Sequence, residues 1–163
     1  MKAVFMVLWL AVFEAWGQEG WLLDAEEAAP YQVDAANPGF DLSPTRASLR
    51  PGPEIQVLSP TLREDAAGDV RLETGEEVRL EVKFAKLTPA SAEVDMRSFA
   101  AVMRKGGDWV PITERLKGYL RVSEQRLDAP RLRVPPGTYA LKLKIKDTQG
   151  NGSESGFWLV VRD

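Results

Sequence analysis

The chain reads as an all-β protein, an antiparallel β-sandwich of about seven strands. Three observations predict this. Tyr139, Leu141, Leu143 and Ile145 alternate with Ala140, Lys142, Lys144 and Lys146, so one long strand has an apolar face and a polar face. Val78, Leu80, Val82 and Phe84 alternate in the same way with Glu77, Arg79, Glu81 and Lys83. Turn residues separate successive runs at the spacing of a sandwich. A strand that buries one face and wets the other belongs in an antiparallel sheet.

Residues 1–17 have the form of an export signal. Lys2 supplies the positive start, Ala3 to Phe13 is uncharged and apolar, and Ala15-Trp16-Gly17 places small residues where signal peptidase reads. Cleavage is expected before Gln18. An uncleaved anchor would need ~20 apolar residues, and this run ends at Glu14. The chain has no cysteine, so a lipid anchor on cysteine is excluded, and the core must supply stability without disulfides.

Residues 18–52 read as an extended arm or linker. Pro30, Pro38, Pro44 and Pro51 interrupt them, and no period-two pattern is sustained. Ala25 to Ala29 suits one helical turn before Pro30. Trp21, Leu22, Leu23, Tyr31 and Phe40 are unusual for a solvated tail, so the arm is expected to pack on its own domain or to meet a partner.

The sandwich is expected over residues 53–163. Glu54 to Leu58 is its first strand, with Ile55 and Val57 inward, stopped by Ser59-Pro60. Val70 to Leu72 suits a short edge strand, and Glu76 to Ala85 is the second main strand. Arg97 to Arg104 follows, with Phe99, Ala101 and Met103 inward or the strand one residue out of that register. Lys105-Gly-Gly-Asp108 is a hairpin turn, because glycine accepts positive φ. Trp109 to Ile112 returns, and Thr113 is placed to cap a helical turn through Leu116. Leu120 to Leu127 and Arg131 to Val134 are further short strands. The long strand spans Thr138 to Lys146, with a turn over Asp147 to Gly152 and a last strand at Gly156 to Arg162. Phe157, Leu159 and Val161 face one way there. Trp158 and Val160 face the other, which calls for cover by the Trp21 arm or by another chain.

Three segments carry a family resemblance. They are Pro53-Glu-Ile-Gln-Val-Leu-Ser-Pro60, Val134-Pro-Pro-Gly-Thr-Tyr139 and Lys146-Asp-Thr-Gln-Gly-Asn151. Together they resemble bacterial immunoglobulin-like and fibronectin-type-III-like domains over Pro53 to Asp163. The resemblance implies an immunoglobulin-like sandwich, without the cysteine pair of antibody domains. It also implies that Tyr139 occupies the tyrosine corner, whose hydroxyl bonds nearby backbone. Such domains serve as spacers, adhesion modules, binding modules and accessory parts of enzymes, so the fold does not select among them.

Composition narrows the chemistry. The net charge is −3 with both signs interspersed, which leaves no basic footprint for nucleic acid and no cationic amphipathic helix for a membrane surface. The chain has no histidine, so Ser-His-Asp and Cys-His devices and His- or Cys-built metal sites are excluded. Carboxylate pairs remain, with Glu93 and Asp95 or Glu124 and Asp128 as the candidates. As residue types, they equally suit solvated strand faces and turn caps. A Ser-Lys dyad would need a buried lysine, whereas Lys142, Lys144 and Lys146 alternate with the apolar stripe and should lie in water. Asp147 and Asn151 have calcium-compatible oxygens, but they are also the residues that build turns. No cofactor is expected.

Trp109, Tyr119 and Trp158 are the candidate binding residues, as an aromatic platform for a sugar or a protein. Core packing or cover by the arm is the competing reading. Trp109 follows the hairpin tip and should be the most exposed of the three. The expected function is an exported, non-catalytic binding or structural module in a bacterial periplasm or outside the cell, with an unidentified protein or glycan partner. The alternatives are a carbohydrate-binding module using those aromatics and a carboxylate-dependent hydrolase.

Overall fold

The computed structural model describes residues 20–34, 42, 52–64 and 69–163. The export signal and Phe40 lie outside them. The elements in chain order are β1 (Gly20–Trp21), α1 (Ala25–Ala28), a 3₁₀ turn (Ala29–Tyr31), β2 (Glu54–Ser59), β3 (Leu62–Glu64), β4 (Val70–Gly75), β5 (Glu77–Ala85) and β6 (Val94–Lys105). They continue with β7 (Asp108–Pro111), α2 (Thr113–Lys117), β8 (Arg121–Ser123), β9 (Arg126–Arg133), β10 (Gly137–Asp147) and β11 (Gly152–Arg162).

The strands form two sheets. One has the order β1-β9-β5-β2, with β8 also paired to β9; the other is β3-β4-β11-β10-β6-β7. The path β2-β5-β9-β8 reproduces the A-B-E-D sheet of an immunoglobulin fold. The path β7-β6-β10-β11 reproduces C′-C-F-G. The expected all-β, immunoglobulin-like sandwich is therefore the observed architecture. Its sheets are mixed, however, because β4 runs parallel to β11 and β1 parallel to β9.

The predicted faces pack as the alternation requires. Val78, Leu80, Val82 and Phe84 of β5 are buried, as are Phe99, Ala101 and Met103 of β6 and Phe157, Leu159 and Val161 of β11. Tyr139, Leu141, Leu143 and Ile145 of β10 join the same core. The hydroxyl of Tyr139 donates to the Pro135 carbonyl at 2.7 Å, so the tyrosine corner is formed. Between the sheets a cavity of about 20 Å³ is lined by Leu22, Leu72, Leu80, Leu141 and Phe157 among others. That is space for one water, well below what a ligand fills.

Several expectations change. Val70 to Leu72 belongs to β4, which is no edge; it lies between β3 and β11. Thr113 does not cap α2. Its Oγ1 instead accepts from the Ala101 amide (3.0 Å) and donates to the Ala101 carbonyl (3.3 Å), tying the helix to β6. Leu120 to Leu127 is not one strand, because Glu124 and Gln125 turn the chain between β8 and β9. Lys142 is not in water; it is 8 % exposed.

The first part of the arm is a component of the core. Leu22, Leu23, Ala28 and Tyr31 are buried with the sandwich residues. Asp24 caps α1 by accepting from the Glu27 amide at 2.8 Å. The Leu22 amide donates to the Arg133 carbonyl at 2.8 Å, continuing the β1 pairing. Arg115 of α2 holds the segment by a bidentate pair with Glu27, at 2.9 and 3.0 Å. Trp21 itself stays 44 % exposed, with the Arg133 guanidinium over its ring.

Candidate functional site

The outer face of the β11-β10-β6-β7 sheet concentrates the unusual chemistry. Lys142 on β10 pairs in register with Gly156 on β11 and Val102 on β6. A glycine at that point lets another backbone approach the strand closely. The Leu42 carbonyl occupies that space, and a Cβ on Gly156 would collide with it. Leu42, Ala140 and Trp158 form a second apolar cluster, with Val33, Trp109 and Val160 packed against it. The apolar outer face of β11 is thus covered by arm residues Val33 and Leu42, not by Trp21.

Two further contacts seat the arm. The Val33 amide donates to the Thr138 carbonyl at 2.9 Å. The Gln32 amide group donates to the Pro136 carbonyl at 3.1 Å and lies where a Cβ on Gly137 would stand. Gly52 makes an equally close approach to Asn151. The contacts at Thr138, Gly156 and Asn151 are spaced along the β10-β11 pair.

This cover desolvates Lys142, and a buried ammonium needs compensation. Its Nζ lies 2.8 Å from Glu154 Oε1 and 4.8 Å from the centroid of the Trp109 ring. Lys144 reaches the other oxygen of Glu154 at 3.1 Å. Burial pushes the Glu154 carboxyl up, but the hydrogen bonds and charges of Lys142 and Lys144 outweigh it and hold its pKa below the usual range. The Arg104 guanidinium lies 5.6 Å from the Trp109 centroid. The indole therefore contacts two cations of its own chain.

The structure brings together two of the three predicted aromatics. Trp109 is half-buried and Trp158 is 1 % exposed, both in the covered cluster. Tyr119 lies elsewhere, packed against the main core, with its hydroxyl donating to the Trp21 carbonyl at 3.3 Å. Sequence reasoning placed Lys142 in water and did not name Glu154. The available signal was Gly156, a glycine inside a strand and opposite a lysine.

The candidate acids sit apart from this cluster. Glu93 is exposed and paired with Lys86 at 2.7 Å, and Asp95 accepts from the Arg97 amide at 3.1 Å. Glu124 is at the exposed β8-β9 tip, and Asp128 lies on β9 with Arg79 at 3.8 Å. Asp147 Oδ1 accepts from the amides of Gln149 and Asn151, both at 2.9 Å, and Oδ2 from the Asn151 side chain at 2.8 Å. The Asn151 side chain is the main cause of its lowered pKa. Both oxygens are thus engaged in the turn. Among the described residues no group of three or more acids is placed to hold a metal.

No protein-family model matches the chain, and no curated protein matches it. Among solved structures, an engineered protein has a TM-score of 0.40 at 12 % identity, covering 68 % of this chain and 20 % of its own. Murine CRIg, an immunoglobulin-like domain, has a TM-score of 0.37 at 15 % identity, covering 68 % of this chain and 99 % of its own. Likenesses of this size add nothing to the topology already described.

Proposed function

We propose that this chain is an exported, non-catalytic binding or structural module that works in a bacterial periplasm or outside the cell. The leader pattern of residues 1–17 supports export, and the immunoglobulin-like ladder suits a module of this kind. The observation that carries the reading is the engagement of the buried charges. Lys142 and Asp147 are the buried polar side chains among the described residues, and neighbours in the same chain hold both. A glycosidase needs one carboxyl held protonated. The carboxyls of Glu27, Asp147 and Glu154 are instead held below their ordinary pKa by neighbouring donors and cations.

The test is expression of the full chain in a bacterium with a C-terminal tag. A mature protein beginning at or near Gln18 in the periplasm or medium, inert towards a glycoside and ester panel, is the expected result. Retention in the cytoplasm at full mass would overturn export. Turnover that survives extensive purification and is lost in Glu124→Gln or Glu93→Gln would overturn the non-catalytic reading.

A further inference from the structure

The outer face of the other sheet contains a cross-strand row that the fold does not explain. Gln56 pairs with Lys83, Lys83 with Arg126, and Arg126 with Ser123, so the four side chains cross β2, β5, β9 and β8 on one face. Lys83 and Arg126 are therefore like charges directly opposite, an arrangement that destabilises a sheet. Two residues along, the chain uses the complementary solution. Glu81 pairs with Asp128; Arg79 reaches both acids and Arg126 reaches Glu81. Lys83 makes no ion pair or hydrogen bond within the described residues. Arg126 gives Nη1 to Glu81 at 3.1 Å, and its side chain remains 50 % exposed.

Beside this row the β8-β9 turn forms an open groove of about 420 Å³, lined by Lys83, Ser123, Glu124, Gln125 and Arg126. The Gln125 carbonyl accepts from the Phe84 amide at 2.8 Å, which fixes the turn on the end of β5. The groove thus presents two cations and a hydroxyl beside a fixed turn. Glu124 at its rim disfavours a polyanion and leaves room for a single charge. The guanidinium of Arg126 suits a planar oxyanion, which it meets with paired N–H donors, while Lys83 supplies a point charge.

We infer that this groove is a binding site for a single carboxylate side chain on a peptide segment of a partner protein, held by Lys83 and Arg126 with Ser123 as an additional donor. The inference gives a partner class to the module proposed above. It rests on that reading only for its biological role, because the titration below is read on the purified domain alone.

The probe is a capped Gly-Glu-Gly peptide, titrated into the mature protein and followed by amide and arginine side-chain NMR. A capped Gly-Gln-Gly peptide and an oligogalacturonate are the comparison ligands. Saturable shifts at Ser123, Gln125 and Arg126 are expected with the Glu peptide only. Lys83→Gln should weaken them about tenfold, the effect of losing one charge-assisted bond. Lys146→Gln, on β10 of the other sheet, should leave them unchanged. Equal shifts from the Gln peptide, binding of the oligogalacturonate alone, or an undiminished response in Lys83→Gln would each overturn the site. Partner capture that persists unchanged in Lys83→Gln would overturn the groove while leaving a binding module intact. A saturable site in a chain that captures no partner would overturn the module instead.

Discussion

The backbone carbonyl of Leu42 rests against the α-carbon of Gly156, where no side chain fits. This contact seats the arm over Trp158 and Lys142 and makes Gly156 a structural requirement. Gly156→Val should displace Leu42, expose Trp158 and lower stability by about 1–3 kcal/mol. The readouts are a red shift of tryptophan emission and an earlier urea midpoint. Gly107→Ala, at a position with nothing within 4 Å of an added Cβ, should change neither.

Tyr139→Phe removes the hydroxyl that satisfies the buried Pro135 carbonyl, at a cost of about 1–3 kcal/mol. Burial raises the pKa of Tyr139 above that of the unfolded chain. Its contribution is therefore complete below the unfolded pKa of about 10 and is lost as pH rises through the folded value. Urea midpoints taken from neutral pH to about pH 11 should show an alkaline loss in the wild type that is smaller in Tyr139→Phe.

Glu154 behaves with the opposite sign. Its folded pKa is lowered, so its stabilisation is present above the unfolded value of about 4.3 and disappears as pH falls through the folded one. Glu154→Gln leaves Lys142 buried without its carboxylate and should cost about 1.5–3 kcal/mol at neutral pH. The variant should also lose part of the acid-dependent slope measured for the wild type.

Burial, more than charge, holds the N-terminal segment on the core. Leu23 is 0 % exposed, and Leu23→Ala should destabilise by about 2–5 kcal/mol. Glu27 and Arg115 form their bidentate pair with side chains nearly half exposed, at 44 and 45 %. Solvent screens such a pair, so Glu27→Gln should leave the urea midpoint within error. Comparing the two unfolding curves decides between the mechanisms.

Local periodicity explains what was legible at each strand. The inward faces of β5 and β10 follow from alternation alone, since a one-residue slip would have exposed Phe84 or Leu143, whereas β6 allowed two registers and packing chose the one that buries Met103. The β6-β7 turn was legible because Gly106 takes a φ of 56° that few other residues accept. Lys142 was misread by the same logic. Alternation says which side of the sheet a residue faces, but not whether another segment covers that side. Thr113 was misread because its hydroxyl suits both a helix cap and the Ala101 backbone, and packing chose the second.

The sequence by itself determined the class of the protein, the faces of its main strands and the chemistries it lacks, because these depend on residue type and near neighbours; the tyrosine corner came only from the family resemblance. Only the tertiary structure decided that β4 lies parallel to β11, that Leu42 closes the face over Trp158, that Tyr119 stands apart from Trp109, and that Lys83 faces Arg126. Those pairings join residues far apart in the chain. They arise from the packing of whole elements, which no local pattern encodes.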